Sequence, residues 1–173
     1  MAPPLDRIFL DYSTAKLRQY AERIGICLGK LDASQIWMRG TGRENAVGNL
    51  VLHLCGNVRQ WIVSGVGGLP DTRDRDAEFA ARGGSAPAEL TARLRAVIEE
   101  AAAVLDGVTP GRLAEPIVVQ GYHLTVFEAV YHVVEHFSHH TGQVLFATKA
   151  LTGEDLGFYR HLSAKAPHSE TTP

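Results

Sequence analysis

Apolar residues recur every three to four positions in four long stretches of the chain, with charged residues between them. This spacing places the apolar side chains on one face of an α-helix. Thr41 and Glu44 have the spacing of a capping box, which marks the start of a helix. The predicted helices run from about Leu5 to Leu31, from the end of the Thr41–Glu44 segment to about Ser64, from Pro87 to Leu105 and from Thr125 to Leu151. Gly107 and Gly153 follow the last two helices as stop signals.

Three segments outside these helices have patterns of their own. Residues 71–87 are rich in Asp, Arg and Gly, and predict a long connection with a short turn at 77–82. Residues 114–126 contain three β-branched residues followed by Gly121, which predicts a small β-hairpin or an extended arm. Residues 163–173 have the composition of a flexible tail.

Together these elements predict a single all-α domain over residues 1–173. The expected architecture is a four-helix bundle with a long connection between helices 2 and 3 and a short β-hairpin before helix 4. Bundle cores often hold metal sites that are built from side chains of facing helices.

The amino-acid composition argues against several classes of function. The 17 basic residues are outnumbered by 19 acidic ones, and the formal net charge is -2, so nothing favours a nucleic-acid partner. No apolar run reaches the roughly 20 residues of a membrane span, and the N-terminus lacks the pattern of a signal peptide. Cys27 and Cys55 do not form a C-x-x-C pair or a disulfide framework, which favours a reducing compartment. We therefore expect a cytoplasmic protein without a membrane or nucleic-acid partner.

Four histidines crowd the last predicted helix. With His140 as zero on a helical projection, the apolar stripe lies between about −20° and +40°. His136 lies at about −40°, on the inner side, whereas His132 and His139 lie at about −80° and −100°, on its flank. Two imidazoles four residues apart on one helix face can bind a single metal ion.

The second helix offers a third ligand. On its projection His53 and Asn57 lie on the inner side, whereas Cys55 points away, which argues against Cys55 as a ligand to the same ion. Burying imidazoles without a partner is costly, and neutral imidazole nitrogens coordinate Zn²⁺ or Ni²⁺ well. The alternative for each histidine alone is a hydrogen-bonded core residue or a partly exposed residue on the flank of the apolar face.

Other polar residues near the three histidines each have two possible interpretations. His132 and His139 fit positions on the flank of the site, behind a metal ligand or at an interface better than ligand positions. Asn57 and Gln143 either hydrogen-bond near the site or complete the core.

Two segments carry a resemblance to a known family. Residues 133–144, VVEHFSHHTGQV, resemble the N-H-x-x-H-H-x-G-Q signature of the DinB-like (DinB/YfiT) superfamily, and residues 53–61, HLCGNVRQW, resemble the segment of its second helix that begins with a histidine. Asn49-Leu50 and residues 156–159 complete the pattern, which is most similar to a subgroup of unassigned function. Glu135 stands where the family often has Asn.

The resemblance implies a fold and a metal site. Members are four-helix bundles, usually homodimers, and three histidines bind a divalent metal; by position these are His53, His136 and His140. Characterised relatives include thiol transferases that depend on bacillithiol, mycothiol or glutathione, and a maleylpyruvate isomerase.

Two functions follow as hypotheses. One is a metal-dependent enzyme that transfers a low-molecular-weight thiol to an electrophile, with a hydrolase as the variant. Because no cysteine faces inward, its nucleophile would be water or a thiol bound to the metal. The other is a non-catalytic, metal-binding dimer with a stress-response or scaffolding role. An open pocket beside His53, His136 and His140 would favour the enzyme.

Overall fold

A computed structural model describes residues 2–160, and the chain over this range is mostly helical. The α-helices are α1 (Leu5–Leu28), α2 (Ala33–Ile36), α3 (Val47–Val58), α4 (Arg75–Ala80), α5 (Pro87–Asp106) and α6 (Val126–Thr152). A π-helical segment, Arg59–Val66, continues α3, and a 3₁₀ turn at Pro110–Ala114 leads into strands β1 (Pro116–Val119) and β2 (Tyr122–Thr125). The predicted tail at 163–173 lies outside the described residues. Within the described range, no helix is both long and apolar enough to cross a membrane.

The hydrophobic core lies between the four long helical elements. Helix α1 packs against α5 and α6, and α3 packs against the same two helices. The largest side chains that are fully buried come from all of them, and include Leu10, Ile24, Leu54, Leu94, Ile98 and Phe137. The apolar stripes read from the sequence are therefore the faces that meet in the core.

Helix α6 begins and ends where the sequence predicts. The Thr125 side-chain oxygen accepts a hydrogen bond from the Glu128 N–H at 3.2 Å, and the Glu128 carboxylate accepts one from the Thr125 N–H at 2.7 Å. Gly153 follows the helix with φ of 70°, a left-handed conformation that glycine adopts without a steric penalty. The predicted start of α5 at Pro87 is also confirmed.

The predicted boundaries of the first two helices are wrong. Helix α1 ends at Leu28 rather than Leu31, and the short helix α2 follows it, capped by the Asp32 side chain. The Thr41 N–H does donate to the Glu44 carboxylate at 2.8 Å, but no helix starts there. Helix α3 begins at Val47, after Ala46 donates its N–H to the Asn49 side-chain oxygen at 3.2 Å.

The end of the second helical stretch is π-helical, which hydrophobic periodicity does not distinguish from an α-helix. The Gly67 N–H donates to the Ile62 carbonyl, five residues earlier, at 2.8 Å. Segments of this kind are rare and occur frequently at functional sites. The π-helical segment carries Trp61, which follows His53 and Asn57 of α3 at four-residue spacing.

The predicted hairpin is confirmed and packs on the π-helical segment. Strands β1 and β2 pair antiparallel, with Val119 opposite Tyr122. Gln120 and Gly121 form the turn with positive φ values of 52° and 80°. Val119 lies over Gly65, where an added Cβ would come within 2.6 Å of the Val119 Cγ2 atom.

The long connection between α3 and α5 is confirmed, and it contains α4 close to the predicted turn. Buried Asn49 of α3 donates from its Nδ2 atom to the carbonyl oxygens of Glu78 and Ala81, at 2.8 and 3.0 Å. The Arg39 guanidinium donates to the Asn49 Oδ1 atom at 2.6 Å and to the Phe79 carbonyl at 3.1 Å. These bonds hold α4 against α3.

Candidate metal centre

Two helices bring three histidines to one point. The His53 Nε2 atom from α3 lies 3.1 Å from the His136 Nε2 atom of α6, and the His140 Nε2 atom lies 3.2 Å from the same atom. One ligand atom from each of the three residues lies within 4.8 Å of the other two. An ion with bonds of about 2.0–2.1 Å to imidazole nitrogen places neighbouring ligand nitrogens roughly 3.3 Å apart in a tetrahedral site. The cluster therefore has the dimensions of a three-histidine metal site.

A buried ion pair orients the His53 ring. The His53 Nδ1 atom lies 3.1 Å from the Glu78 Oε2 atom, and Arg73 donates to both carboxylate oxygens of Glu78, at 2.8 and 2.9 Å. The Arg73 Nη2 atom, which can only donate, also lies 3.0 Å from the His53 Nδ1 atom. When Nδ1 donates its proton to the Glu78 carboxylate, the lone pair of the neutral ring lies on Nε2, toward the other histidines. This is the tautomer that a metal ligand at Nε2 needs.

Glu78 is ionised although it is only 7% exposed. Burial by itself raises the pKa of this carboxyl group, but hydrogen bonds from Arg73 and His53 outweigh that effect and hold the pKa below its ordinary value. Helix α3 has a glycine, Gly56, where the carboxylate approaches it. An added Cβ at this position would overlap the Glu78 Oε1 atom and lie 2.8 Å from its Cδ atom.

Sequence reasoning missed both Glu78 and Arg73. The two residues lie in the long connection, whose position against α3 depends on contacts distant in sequence. A glycine in the middle of an apolar helix signals a close approach, so Gly56 was the available clue.

His140 is oriented by Gln143, one turn later on α6. The His140 Nδ1 atom lies 2.7 Å from the Gln143 Oε1 atom, so that Nδ1 donates and Nε2 carries the lone pair. Gln143 was predicted either to hydrogen-bond near the site or to complete the core, and the structure shows the hydrogen bond. The His136 Nδ1 atom is buried and has no hydrogen-bond partner among the described residues.

The pKa values of His136 and His140 are both lowered, which keeps these two rings neutral. Burial first, and then the neighbouring histidines, lower the pKa of His136 to about 3. Burial also lowers the pKa of His140. Both rings are half-buried, because they lie at the edge of the buried face of α6, which is centred on residues such as Val133, Phe137 and Val144. Neutral imidazoles at the edge of the core are available to a cation.

The flanking residues lie where their helical angles place them. The His132 ring packs against Trp61 at a tilt of 40°, with ring centroids 4.2 Å apart, and the exposed His139 ring lies beside His140 at 5.3 Å. Cys55 does not join the cluster among the described residues. It is buried beside a separate cavity, and burial raises the pKa of its thiol to about 12.

A cavity of about 550 Å³ opens beside His53 and His136. Asn57 and Trp61 line it from the α3 side, and His132 lines it from α6. The hairpin contributes Tyr122 and His123. A small molecule in this space would lie next to His53 and His136.

Comparison with known proteins places the chain in a family. Residues 5–165 match the family model described as "Protein of unknown function (DUF1572)". The comparison with curated proteins gives no match. The chain is similar in fold to a solved structure titled "Crystal structure of the conserved protein of locus from Enterococcus faecalis", with a TM-score of 0.70 and 16% identity over 88% of this chain and 100% of the other. Since the family model spans almost all the residues that form the core and the histidine cluster, this chain belongs to the DUF1572 family of proteins of unknown function.

Proposed function

We propose that this protein is a metal-dependent enzyme with a DinB-like four-helix-bundle fold, and that it transfers a low-molecular-weight thiol to an electrophilic acceptor. One observation carries the proposal: three histidine nitrogens converge, and two of these histidines, His53 and His136, line a cavity large enough for a small molecule. The bundle assignment is supported by the mutual packing of α1, α3, α5 and α6 and by the DinB-like signatures of residues 53–61 and 133–144.

His53, His136 and His140 would hold the metal. Their nitrogen atoms suit a divalent cation. Glu78 contacts the Nδ1 atom of His53 and Gln143 contacts that of His140, which leaves the Nε2 lone pairs of both rings directed at one point. Three imidazoles with open coordination positions are typical of catalytic zinc sites. Ni²⁺ accepts the same ligands, so the ion that loads also depends on availability.

A bound divalent cation supplies Lewis-acid chemistry, which lowers the pKa of a coordinated thiol or water. The protein's own residues orient the site and surround the substrate. No cysteine lines the cavity among the described residues, so the thiol must belong to the substrate. Hydrolysis is the variant of this chemistry in which water replaces the thiol.

The test is a screen of the metal-loaded protein against thiols paired with electrophilic acceptors. We expect turnover in the parent protein and in His139→Ala, because His139 is exposed and lies outside the cluster. We expect none in His140→Ala. Equal activity in the two variants would show that the turnover does not come from this site.

A non-catalytic metal-binding role is the second candidate. It is favoured by the lack of a free acid in the cavity: Glu128 supplies the only carboxylate among the described lining residues, and that group is engaged by Thr125. A metal-loaded protein that is inert toward thiols, acceptors and hydrolysable esters would support this role in stress response or scaffolding.

We also propose that the protein is a cytoplasmic homodimer. The free cysteines Cys27 and Cys55 suit a reducing compartment. A dimer is supported by a patch of exposed apolar side chains on two adjacent helices, the α1–α6 patch, formed by Ile8, Tyr12, Phe127 and Tyr131. Stacking of Phe9 on Phe127, with centroids 4.3 Å apart, joins the two helices.

A further inference from the structure

One positive charge on the wall of the cavity beside His53 has no negative partner. Among the described residues that line this cavity, the arginines are Arg73 and Arg75. Arg73 is neutralised, because it donates to both carboxylate oxygens of Glu78. Arg75 is exposed and forms no ion pair with any described residue. The Arg75 guanidinium is therefore free to pair with a ligand in the cavity.

Phe79 places this guanidinium near the histidine cluster. The Arg75 Cζ atom lies 4.9 Å from the centre of the Phe79 ring, one turn later on α4, in a cation–π contact. The centre of the same ring lies 4.7 Å from the centre of the His53 ring. The distance from the guanidinium to His53 therefore cannot exceed the sum of these two distances. A small molecule in the cavity is long enough to contact both groups.

The rest of the cavity wall supplies no counterion for Arg75. Glu128 has the only carboxylate among the described lining residues, and its Oε2 atom accepts hydrogen bonds from the N–H and the hydroxyl of Thr125, each at 2.7 Å. Three neutral imidazoles would bind a divalent cation without adding negative charge, so a loaded site would bring the full charge of the ion to the same cavity. An anionic ligand would then be attracted by the ion and by Arg75 together.

We propose that Arg75 binds a carboxylate group of the molecule on which the metal centre acts, so that the ligand of the cavity is a small organic acid. This ligand class rests on the proposed function, because it describes the substrate of that same site. The N–H groups of a guanidinium match the two oxygens of a carboxylate. A carboxylate also balances the single charge of Arg75, whereas a phosphate brings a second negative charge that Glu128 on the same wall would repel.

The experiment compares two thiols that differ in one charge, 6-mercaptohexanoate and 6-mercaptohexanamide. Their chains are equally long, and closing so long a chain into a chelate ring on the ion is entropically costly. Calorimetric titration of the Zn²⁺-loaded protein at low ionic strength should give tighter binding of the carboxylate. Arg75→Gln should reduce the ratio of the two affinities about fivefold, the upper value for an exposed ion pair. Arg75→Lys keeps the charge and should retain most of the ratio. An unchanged ratio in Arg75→Gln would overturn the proposal and assign the preference to the ion alone.

Two further variants separate the carboxylate site from net charge and from the metal proposal. Arg93→Gln removes an exposed arginine that lines the separate cavity beside Cys55, and it should keep the ratio of the parent protein. A loss as large as that in Arg75→Gln would mean that only net charge matters, which contradicts a local site. His140→Ala should weaken the binding of both thiols. If it leaves both affinities unchanged, the metal proposal fails, while the effect of Arg75→Gln still decides the carboxylate site. A parent protein that binds neither thiol at millimolar concentration contradicts both.

Discussion

The carboxylate of Glu78 has two partners, and each predicts a different effect of its removal. Its negative charge compensates the Arg73 guanidinium, whose side chain is 3% exposed, and its Oε2 atom orients His53. Glu78→Gln should lower the free energy of unfolding by about 3–5 kcal/mol, because a buried charge loses its counterion. It should also weaken Zn²⁺ binding by about 10- to 100-fold, the usual effect of losing a group that orients a ligand. Urea unfolding and zinc titration measure the two effects.

Two controls separate charge from orientation. Glu100→Gln removes a carboxylate from an ion pair with Arg59 that is about half exposed, and it should change stability by less than about 1 kcal/mol. The double variant Arg73→Met/Glu78→Gln should regain much of the stability and keep the weak zinc affinity. If Glu78→Gln binds zinc as the parent does, the negative charge of Glu78 does not strengthen the metal site.

The neutral histidines make the metal-free protein sensitive to acid. The pKa of His136 is about 3 in the folded chain, against an ordinary value of 6.5. Between these two pH values the unfolded chain binds a proton that the folded chain does not, so stability must fall as the pH drops from about 6.5 to 3. Glu78, whose folded pKa is lowered, loses its stabilising charge in the lower part of this window. Urea midpoints measured with chelator present should therefore decline across this range.

A non-titrating variant tests the source of this decline. His136→Gln removes the group with the largest shift, so its midpoint should depend less steeply on pH. An identical slope in the parent and the variant would rule out His136 as the source.

Helical angles were sufficient to select His53, His136 and His140, because each lies on a regular helix whose apolar face is visible in the sequence. The structure brings these three together. The partners of His53 could not be found in this way, since Arg73 and Glu78 reach it from a polar connection through contacts 20 and 25 residues distant. A local pattern carries no information on such contacts.

The fit of α4 against α3 depends on Gly56. A methyl group there would displace the Glu78 carboxylate without removing its charge. Gly56→Ala should therefore weaken zinc binding by about tenfold or more, with a smaller loss of stability than in Glu78→Gln.

Gly142→Ala is the matched control for this change. Gly142 lies within α6 beside His140, and an added Cβ there meets no atom within 4 Å. The exchange should leave zinc binding unchanged and favour the helix slightly. If both alanine variants bind zinc alike, the contact between Gly56 and Glu78 does not position the site.

The elements with local signals were predictable, and the others were not. Helix α6 has a capping box at Thr125 and a terminal glycine, and the hairpin has β-branched residues before Gly121. Helix α2 was missed although Asp32 and Gln35 form a capping box. The start of α3 was misplaced because the Thr41–Glu44 hydrogen bond forms in a loop. The π-helical turn leaves no trace in hydrophobic spacing.

For the whole molecule, the α1–α6 patch predicts self-association. The protein should elute with a mass of about twice 18.8 kDa in light-scattering chromatography. Ile8→Glu combined with Tyr131→Lys should shift it to the monomer, because charged groups would be buried at the interface. Phe146→Lys, which changes an exposed ring elsewhere on α6, should not. A monomeric parent at high micromolar concentration would contradict the dimer.

The convergence of three histidines beside an open cavity is the central feature of this molecule, and metal binding tests it most directly. Zinc should bind to the purified chain with a stoichiometry of one ion per chain. His140→Ala should lower that affinity by about a hundredfold or more through the loss of a ligand, whereas His139→Ala, one residue away and exposed, should match the parent. A parent chain that takes up no ion, or two variants that bind it equally, would contradict a metal site at His53, His136 and His140.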